Sequence, residues 1–309
     1  MTYILNWQKE RKRGIILTAD LHCHTKLSDG TMGIEDIIAL AVKSGLKTIS
    51  ITDHDCMAGI VRAQIVAKRY GINVIPGVEL TCTDKKRSSK AHLLCYLPDK
   101  TERLESICHK NSLSRKTAGR VMSVRTAERF PISPEFIVKC ATGSTNIFKQ
   151  HIMQALLEAG YTTTIFGDLY KKLFSKESSE NILVNANFTS PMETLEAIHE
   201  AGGIAVLAHP GMYDNFELLD ELVESGLDGV EVWHPENTEE QQQYLIEYAK
   251  KHKLLTTGGS DFHGGYNFKP ITLGQYGPPE ECVEELLGYK AKKRRKQKRL
   301  EKALAAEEK

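Results

Sequence analysis

Short apolar runs rich in β-branched residues recur at residues 14–20, 46–52, 72–80, 90–97, 203–209, 227–233 and 254–261, which is the length and composition of strands. Segments with helical spacing lie between several of them. Residues 33–44 carry Ile34, Ile37, Ile38 and Ala41 at i, i+3, i+4 and i+7, one apolar stripe of a helix. Residues 57–70, 191–201, 216–225 and 239–252 fit helices as well. Alternating strands and helices predict parallel pairing and an α/β architecture. Seven strands predict a closed or nearly closed β/α barrel, with an open doubly wound sheet as the alternative. Residues 101–185 break the rhythm. They show helical patterning over 102–130, 133–141 and 145–159, punctuated by Pro131, Pro134 and Gly143, and no convincing buried strand. This predicts a helical insertion, 101–185, within a discontinuous barrel made of 15–100 and 186–289.

Composition narrows the class without naming it. The 309 residues are 41% hydrophobic and 26% charged, as in soluble globular proteins, and no apolar run approaches the eighteen residues of a membrane span. The first fourteen residues lack the apolar centre of a secretory signal. Seven cysteines without a CxxC pair argue against a disulfide framework and a zinc ribbon, so a reducing cytoplasm is the expected location. The net charge of +1 conceals an asymmetry. Ten Lys or Arg against three Glu between 290 and 309 put that tail at +7 and the remainder at −6. The tail reads as a solvated helix end, or as a weak contact to RNA or another acidic surface.

The placement of histidines and acids is the informative feature. His22 and His24 close the first strand and, two residues apart in extended chain, face one side. Asp29 follows in a Ser-Asp-Gly loop. The second strand ends in Asp53-His54-Asp55, the third in Glu79, the fifth in His209, and the last in Asp261-Phe262-His263, while His92 sits on the fourth. In a parallel barrel the C-terminal strand ends open on one face, where active sites are built. So many carboxylates and imidazoles in one cavity require neutralising cations, and mixed nitrogen and oxygen donors suit Mn, Zn or Fe. Any one of these groups alone reads as a surface histidine pair or a helix cap. Together, in step with the strand ends, they predict a metal cluster.

The segments DLHCHTKLSDGT, ITDHD, PGVEL, HLLCYL, VLAHP and TGGSDFHG resemble, in order and spacing, the motifs of the PHP (polymerase and histidinol phosphatase) superfamily of metal-dependent phosphoesterases, from Ala19 to Tyr276. The resemblance implies a distorted seven-stranded β/α barrel with two or three divalent ions. It implies one ion held by His22, His24, Glu79 and Asp261, a second by Glu79, His92 and His209, and a third by Asp29, His54 and His263. Asp53 and Asp55 would orient His54 or bind metal-bound water; Asp55 equally reads as the cap of the following helix. The insertion, LDGVEVWHP and GGSDFHG resemble the branch of 3′,5′-bisphosphonucleotide phosphatases and 5′–3′ exoribonucleases. Where those relatives offer Arg-Pro-His, this chain has Lys149-Gln150-His151, and Asn181–Asn185 also departs from their pattern, which leaves substrate identity open.

The chemistry implied is phosphoester hydrolysis by metal-bound hydroxide, on 3′,5′-bisphosphonucleotides or short oligoribonucleotides. Arg115, Arg120, Lys149, His151 and His234 are the candidates for gripping substrate phosphate, and His209, His234 and Asp53 for assisting the reaction. Cys23, turned away by strand alternation, reads as packing. The alternatives are a small-metabolite phosphatase of the histidinol phosphatase kind, and a nucleic-acid-binding protein with an inert metal site that uses the basic tail.

Overall fold

The structure, a computed structural model, describes residues 18–307, with side chains described as far as Arg295. The N-terminal reading and the start of the 14–20 strand lie outside the described residues, and so do the tail's side chains beyond Arg295.

In chain order the first half comprises β1 (Ala19–Cys23), α1 (Ile34–Lys43), β2 (Thr48–Ile51), α2 (Ile60–Tyr70), β3 (Asn73–Val74), β4 (Gly77–Asp84) and β5 (Ser89–Tyr96). Four helices follow: α3 (Glu102–Ala127), α4 (Pro134–Cys140), α5 (Lys149–Glu158) and α6 (Asp168–Phe174). The chain ends with α7 (Pro191–Glu200), β6 (Ile204–Leu207), α8 (Pro210–Tyr213), α9 (Phe216–Glu224), β7 (Gly229–Trp233), α10 (Glu239–His252), β8 (Leu255–Gly258) and α11 (Glu280–Glu307).

Among the described residues eight strands, where seven were expected, form two sheets, β1-β2-β3 and β4-β5-β6-β7-β8. The expected strand over 72–80 is two strands. Pro76 lacks the N–H that a continuous ladder would need, and the chain re-enters a strand at Gly77. Pairing is also not uniformly parallel. A short turn joins β4 to β5, so they pair antiparallel, and β5 runs antiparallel to β6 as well. The remaining pairs are parallel. Isolated bridges of Cys23 with Phe262 and of His54 with Glu79 link the two sheets.

Both sheets contribute to one apolar cluster: Leu21 from β1, Leu94 and Tyr96 from β5, Val206 from β6 and Leu255 from β8, with Val283 and Leu286 of α11 closing that end. Leu94 lies opposite Glu79 across the β4–β5 ladder, and His92 lies opposite Thr81. Directly opposed residues share a face, so the interior grades from apolar at α11 to polar at the other end. The outer faces of the sheets bury against α1 and α2 on one side and α7, α9 and α10 on the other.

No strand interrupts α3 to α6, and these helices gather an apolar cluster of their own around Met122, Ile137, Ile152, Leu156 and Phe174. Helix α3 belongs to two cores. Leu104, Ile107 and Cys108 in its first half pack with β4, β5 and α7, while Ala118 and Met122 pack with α5. Helix α6 was not anticipated, because seven residues between loops carry too little period to register.

Candidate metal centre and substrate cavity

Strand alternation sets the site. On β1, Asp20 and His22 face inward, as does His24 just past its end, while Leu21 and Cys23 face apolar clusters, and Cys23 Sγ donates to the Ser50 carbonyl. On β4, Glu79, Thr81 and Thr83 share a face with His92 and Lys90 of β5. A side chain on Gly259 would overlap the backbone of His22, so glycine there lets the end of β8 close on β1. His209 and Asp261 hold φ of 26° and 47°, a left-handed conformation costing about 1–2 kcal/mol each that the surrounding structure must impose.

Four side chains meet at the centre. His24 Nε2 lies 3.0 Å from Asp261 Oδ1 and 3.3 Å from Glu79 Oε2. His22 Nε2 lies 3.4 and 3.5 Å from the same two oxygens. The second Glu79 oxygen, Oε1, is 2.7 Å from His92 Nδ1 and 3.0 Å from His209 Nε2, and these two nitrogens are 3.2 Å apart. Asp29 forms a third group, 3.3 Å from His263 Nε2 and 3.9 Å from His54 Nε2. His54 Nδ1 also approaches Glu79 Oε2 at 2.9 Å, so all three groups adjoin one carboxylate.

These donors fit divalent cations on two counts. The buried atoms His22 Nε2, His24 Nε2, His54 Nδ1, Glu79 Oε2 and Asp29 Oδ1 have no hydrogen-bond partner, an arrangement that burial alone would penalise. Ligand atoms about 2.1 Å from a shared ion stand roughly 3.0–3.5 Å from one another, which matches the spacing around His22, His24, Glu79 and Asp261.

Electrostatics agree. Burial would raise the Glu79, Asp29 and Asp261 carboxyls, but the surrounding imidazoles hold all three below the ordinary carboxylate range, so they are anionic ligands at any physiological pH. Burial lowers His92 to about 4 despite Glu79, leaving a neutral ring with a free lone pair. Burial also opposes charge on His24, but Asp261 and Glu79 outweigh it and push the ring up to about 10. His22 is raised likewise by Glu231, Glu79 and Asp261. A cation held by His22 and His24 would therefore displace protons from these two rings.

Residues behind the centre fix its donors. Glu231 is fully buried; its Oε1 meets His22 Nδ1 at 3.0 Å, and its Oε2 accepts from the His209 N–H at 2.9 Å. Asp20 accepts from the N–H groups of His22, Ser260 and Gly274, tying β1 to the end of β8. Neither was singled out from sequence, although Glu231 stands between two valines in a strand, which is a visible anomaly.

The other expected residues divide. Asp53 does not touch His54; both its oxygens are taken by the Thr25 N–H and hydroxyl and the Ser28 hydroxyl, so it ties down the loop after His24. Asp55 is not a helix cap, since α2 starts later, behind Gly59. It accepts from Thr81 N–H, Asn111 Nδ2 and Arg115 Nη2, joining α3 to β4. Arg120 is exposed on α3, away from the centre. His151 is buried and its Nδ1 accepts the Phe148 N–H, a capping interaction at the start of α5. His234 does reach the centre, with Nε2 3.4 Å from Asp261 Oδ2.

The centre opens into a cavity of about 960 Å³ between the sheets and helices α3, α5 and α6, which Arg115, Lys149 and His234 line. Arg115 is held by Asp55 at 2.8 Å and Thr81 at 2.7 Å and lies between Phe148 and Phe188. Lys90, Lys176 and Gln150 also line the cavity and were not expected. Gln150 Nε2 donates to Asp29 Oδ2 at 3.1 Å, linking α5 to the third group.

A histidine and carboxylate centre of this kind, set in an α/β body, defines a hydrolytic metal site rather than a structural one, because its donors face open space. The PHP domain family matches residues 20–165. The phosphoribosyl 1,2-cyclic phosphate 1,2-diphosphodiesterase of Eggerthella lenta is 32% identical over 254 residues, covering 81% of this chain and 96% of that protein. The 5′-3′ exoribonuclease of Haemophilus influenzae is 29% identical over 249 residues, covering 79% and 89%. A crystal structure described as a metal-dependent phosphoesterase from Bifidobacterium adolescentis superposes with a TM-score of 0.78 at 33% identity, covering 87% of this chain and 95% of that one. The chain belongs to the PHP family and is a metal-dependent phosphoesterase. Among the described residues, no helix is long and apolar enough to cross a membrane.

Proposed function

We propose that the chain hydrolyses phosphate esters of nucleotides, either 3′,5′-bisphosphonucleotides or short oligoribonucleotides. The observation that carries this reading is the junction of the Glu79-centred cluster with a nucleotide-sized cavity whose wall bears Lys90, Arg115, Lys149 and Lys176. A substrate with one phosphate at the cluster and another on this basic wall satisfies both. Along β4 and β5, Thr81 and Lys90 lie two residues beyond Glu79 and His92, roughly 7 Å along the strands, a spacing suited to two phosphates on one ribose.

In this reading His22, His24, Glu79 and Asp261 hold one divalent ion, His92 and His209 with Glu79 a second, and Asp29, His54 and His263 a third, the ions being Mn, Zn or Fe. Bound ions supply an acidified water and positive charge for the phosphoryl oxygens. Glu231 holds the His22 ring, Arg115 offers a pre-oriented guanidinium, and Lys149 adds a point charge where relatives carry arginine. His234 is the candidate proton donor to the departing oxygen. Closing the two sheets into one distorted barrel through the Cys23–Phe262 and His54–Glu79 bridges is the matching architectural reading, with residues 101–185 as its insertion.

All seven cysteines are free, which suits a reducing cytoplasm. Lys290 and Arg294 are engaged by Asp99, and Lys293 by Asp228, so any weak nucleic-acid contact of the tail falls to Lys292, Arg295 and the residues beyond.

The test is a panel of 3′,5′-bisphosphoadenosine, a short RNA, 5-phosphoribosyl 1,2-cyclic phosphate and histidinol phosphate, assayed after EDTA treatment and after Mn addition. Mn-restored turnover with the first two preferred is expected. Preference for histidinol phosphate or the cyclic phosphate would replace the nucleotide reading, and full activity in metal-free protein would remove the mechanism.

A further inference from the structure

One wall of the cavity has no task in the chemistry above. Phe268 is an apolar ring left 65% exposed, and it follows Asn267, whose side chain is fixed between the His263 N–H at 3.0 Å and the Asp261 carbonyl at 3.2 Å. The ring is therefore held on the rim beside the metal centre rather than on a free loop. Phe166 reaches it from the helical segment, just before α6, with ring centroids 5.3 Å apart and planes tilted by 65°. Tyr170 continues the run 5.0 Å from Phe166, and Phe174 lies 5.0 Å further, beneath the Lys149 ammonium at 5.5 Å. All four rings line the same cavity as Glu79 and Asp261. From rim to interior, the wall presents aromatic rings and then a cation.

We infer that Phe268 and Phe166 form a stacking subsite for the nucleobase of the substrate. Resting on the nucleotide reading above, this assigns the base to the rim and the phosphates to the lysines and the metal cluster. Apart from its edge contact with Phe166, this large ring stays in water at a cavity mouth, and a flat heteroaromatic base would cover it. Stacking of this kind tolerates any base, so the subsite favours nucleotides over base-free sugar phosphates without choosing among bases. The two rings come from separate segments, so a bound base also joins the helical segment to the main body.

The decisive measurement is calorimetric binding of adenosine 5′-phosphate and of ribose 5-phosphate to the Mn-loaded protein. Adenosine 5′-phosphate is expected to bind about tenfold or more tightly than ribose 5-phosphate. Phe268→Ala should bring the nucleotide down toward the sugar phosphate and leave the latter unchanged, and Phe268→Trp should keep the preference. Phe268 is exposed, so its truncation leaves no core void, and circular dichroism checks the fold. Equal affinity for the two ligands in the unaltered protein, or a Phe268→Ala loss shared equally by both, overturns the subsite. A retained preference without turnover of any nucleotide would instead overturn the reaction and leave the subsite standing.

Discussion

Two buried acidic clusters sit at opposite ends of β7. At its N-terminal end, Asp228 accepts from Ala205 N–H at 3.0 Å, His199 Nε2 at 3.0 Å, Tyr289 hydroxyl at 2.8 Å and Lys293 at 2.9 Å. Each oxygen is saturated and the cluster fastens α11 to the sheet. At the C-terminal end, Glu79 and Asp261 face the nitrogens His22 Nε2, His24 Nε2, His54 Nδ1 and His234 Nε2, which have no hydrogen-bond partner, and Glu79 Oε2 and Asp29 Oδ1 have none either. Both clusters bury carboxylates beside histidines, but only one is complete by itself. A structural cluster closes its hydrogen bonds internally, and a site for an ion leaves them pointing at shared space.

That contrast can be broken most forcefully at Asp261. Asp261→Asn should cut turnover by at least about a thousandfold and also destabilise the metal-free protein, because His22 and His24 lose a carboxylate that favours their charged forms. Steady-state kinetics and thermal melts read the two arms, and wild-type turnover would remove Asp261 from the centre. Next in size, Glu231→Gln should weaken divalent-ion affinity by about 10–100-fold, measured by competition with a chelating dye. Unchanged affinity would reduce Glu231 to packing.

The complementary change, Asp228→Asn, should leave turnover intact and cost about 2 kcal/mol of stability in a denaturant titration. Its pH dependence has a definite sign. Burial opposes ionisation of Asp228, but His199, the Ala205 N–H and Lys293 outweigh it and bring the carboxyl down to about 2, below its usual 3.8. The contribution is therefore present above pH 4, lost as pH falls toward 2, and missing throughout in the asparagine variant. The smallest effect belongs to His151→Ala, about 1 kcal/mol from the lost cap, with KM for substrate unchanged. A raised KM would return His151 to the phosphate contacts.

Convergence was legible where period and chemistry coincide. His22, His24, Glu79, His92, His209 and Asp261 stand at inward positions of strands or just past their ends, so period-two alternation and strand boundaries are enough to suggest that they converge. The division of the 72–80 run at Pro76 and the reversal of β5 were harder, because pairing direction depends on turn length rather than on apolar pattern. The setting of Asp53 was hidden for another reason: its partners, Thr25 and Ser28, lie on a distant loop, and nothing local distinguishes an anchor from an orienting acid. His151 could have been recognised, three residues into a helix start, from capping spacing alone. Arg120 and Arg115 are five residues apart on one helix, and only the packing of α3 decides which one faces the cavity. Lys90 required the hairpin register, and Phe166 and Phe268 required the meeting of two loops.

Asp55 follows His54 directly and, with φ of 50°, turns its carboxylate toward Thr81, Asn111 and Arg115. The chain that presents His54 thus also carries the fastening of the helical segment. Anyone wishing to exchange that segment for another, to retune what the protein cleaves, would have to transplant the Asn111 and Arg115 pair in register, since an unmatched graft would leave this acid stranded and disturb the neighbouring imidazole at the same stroke.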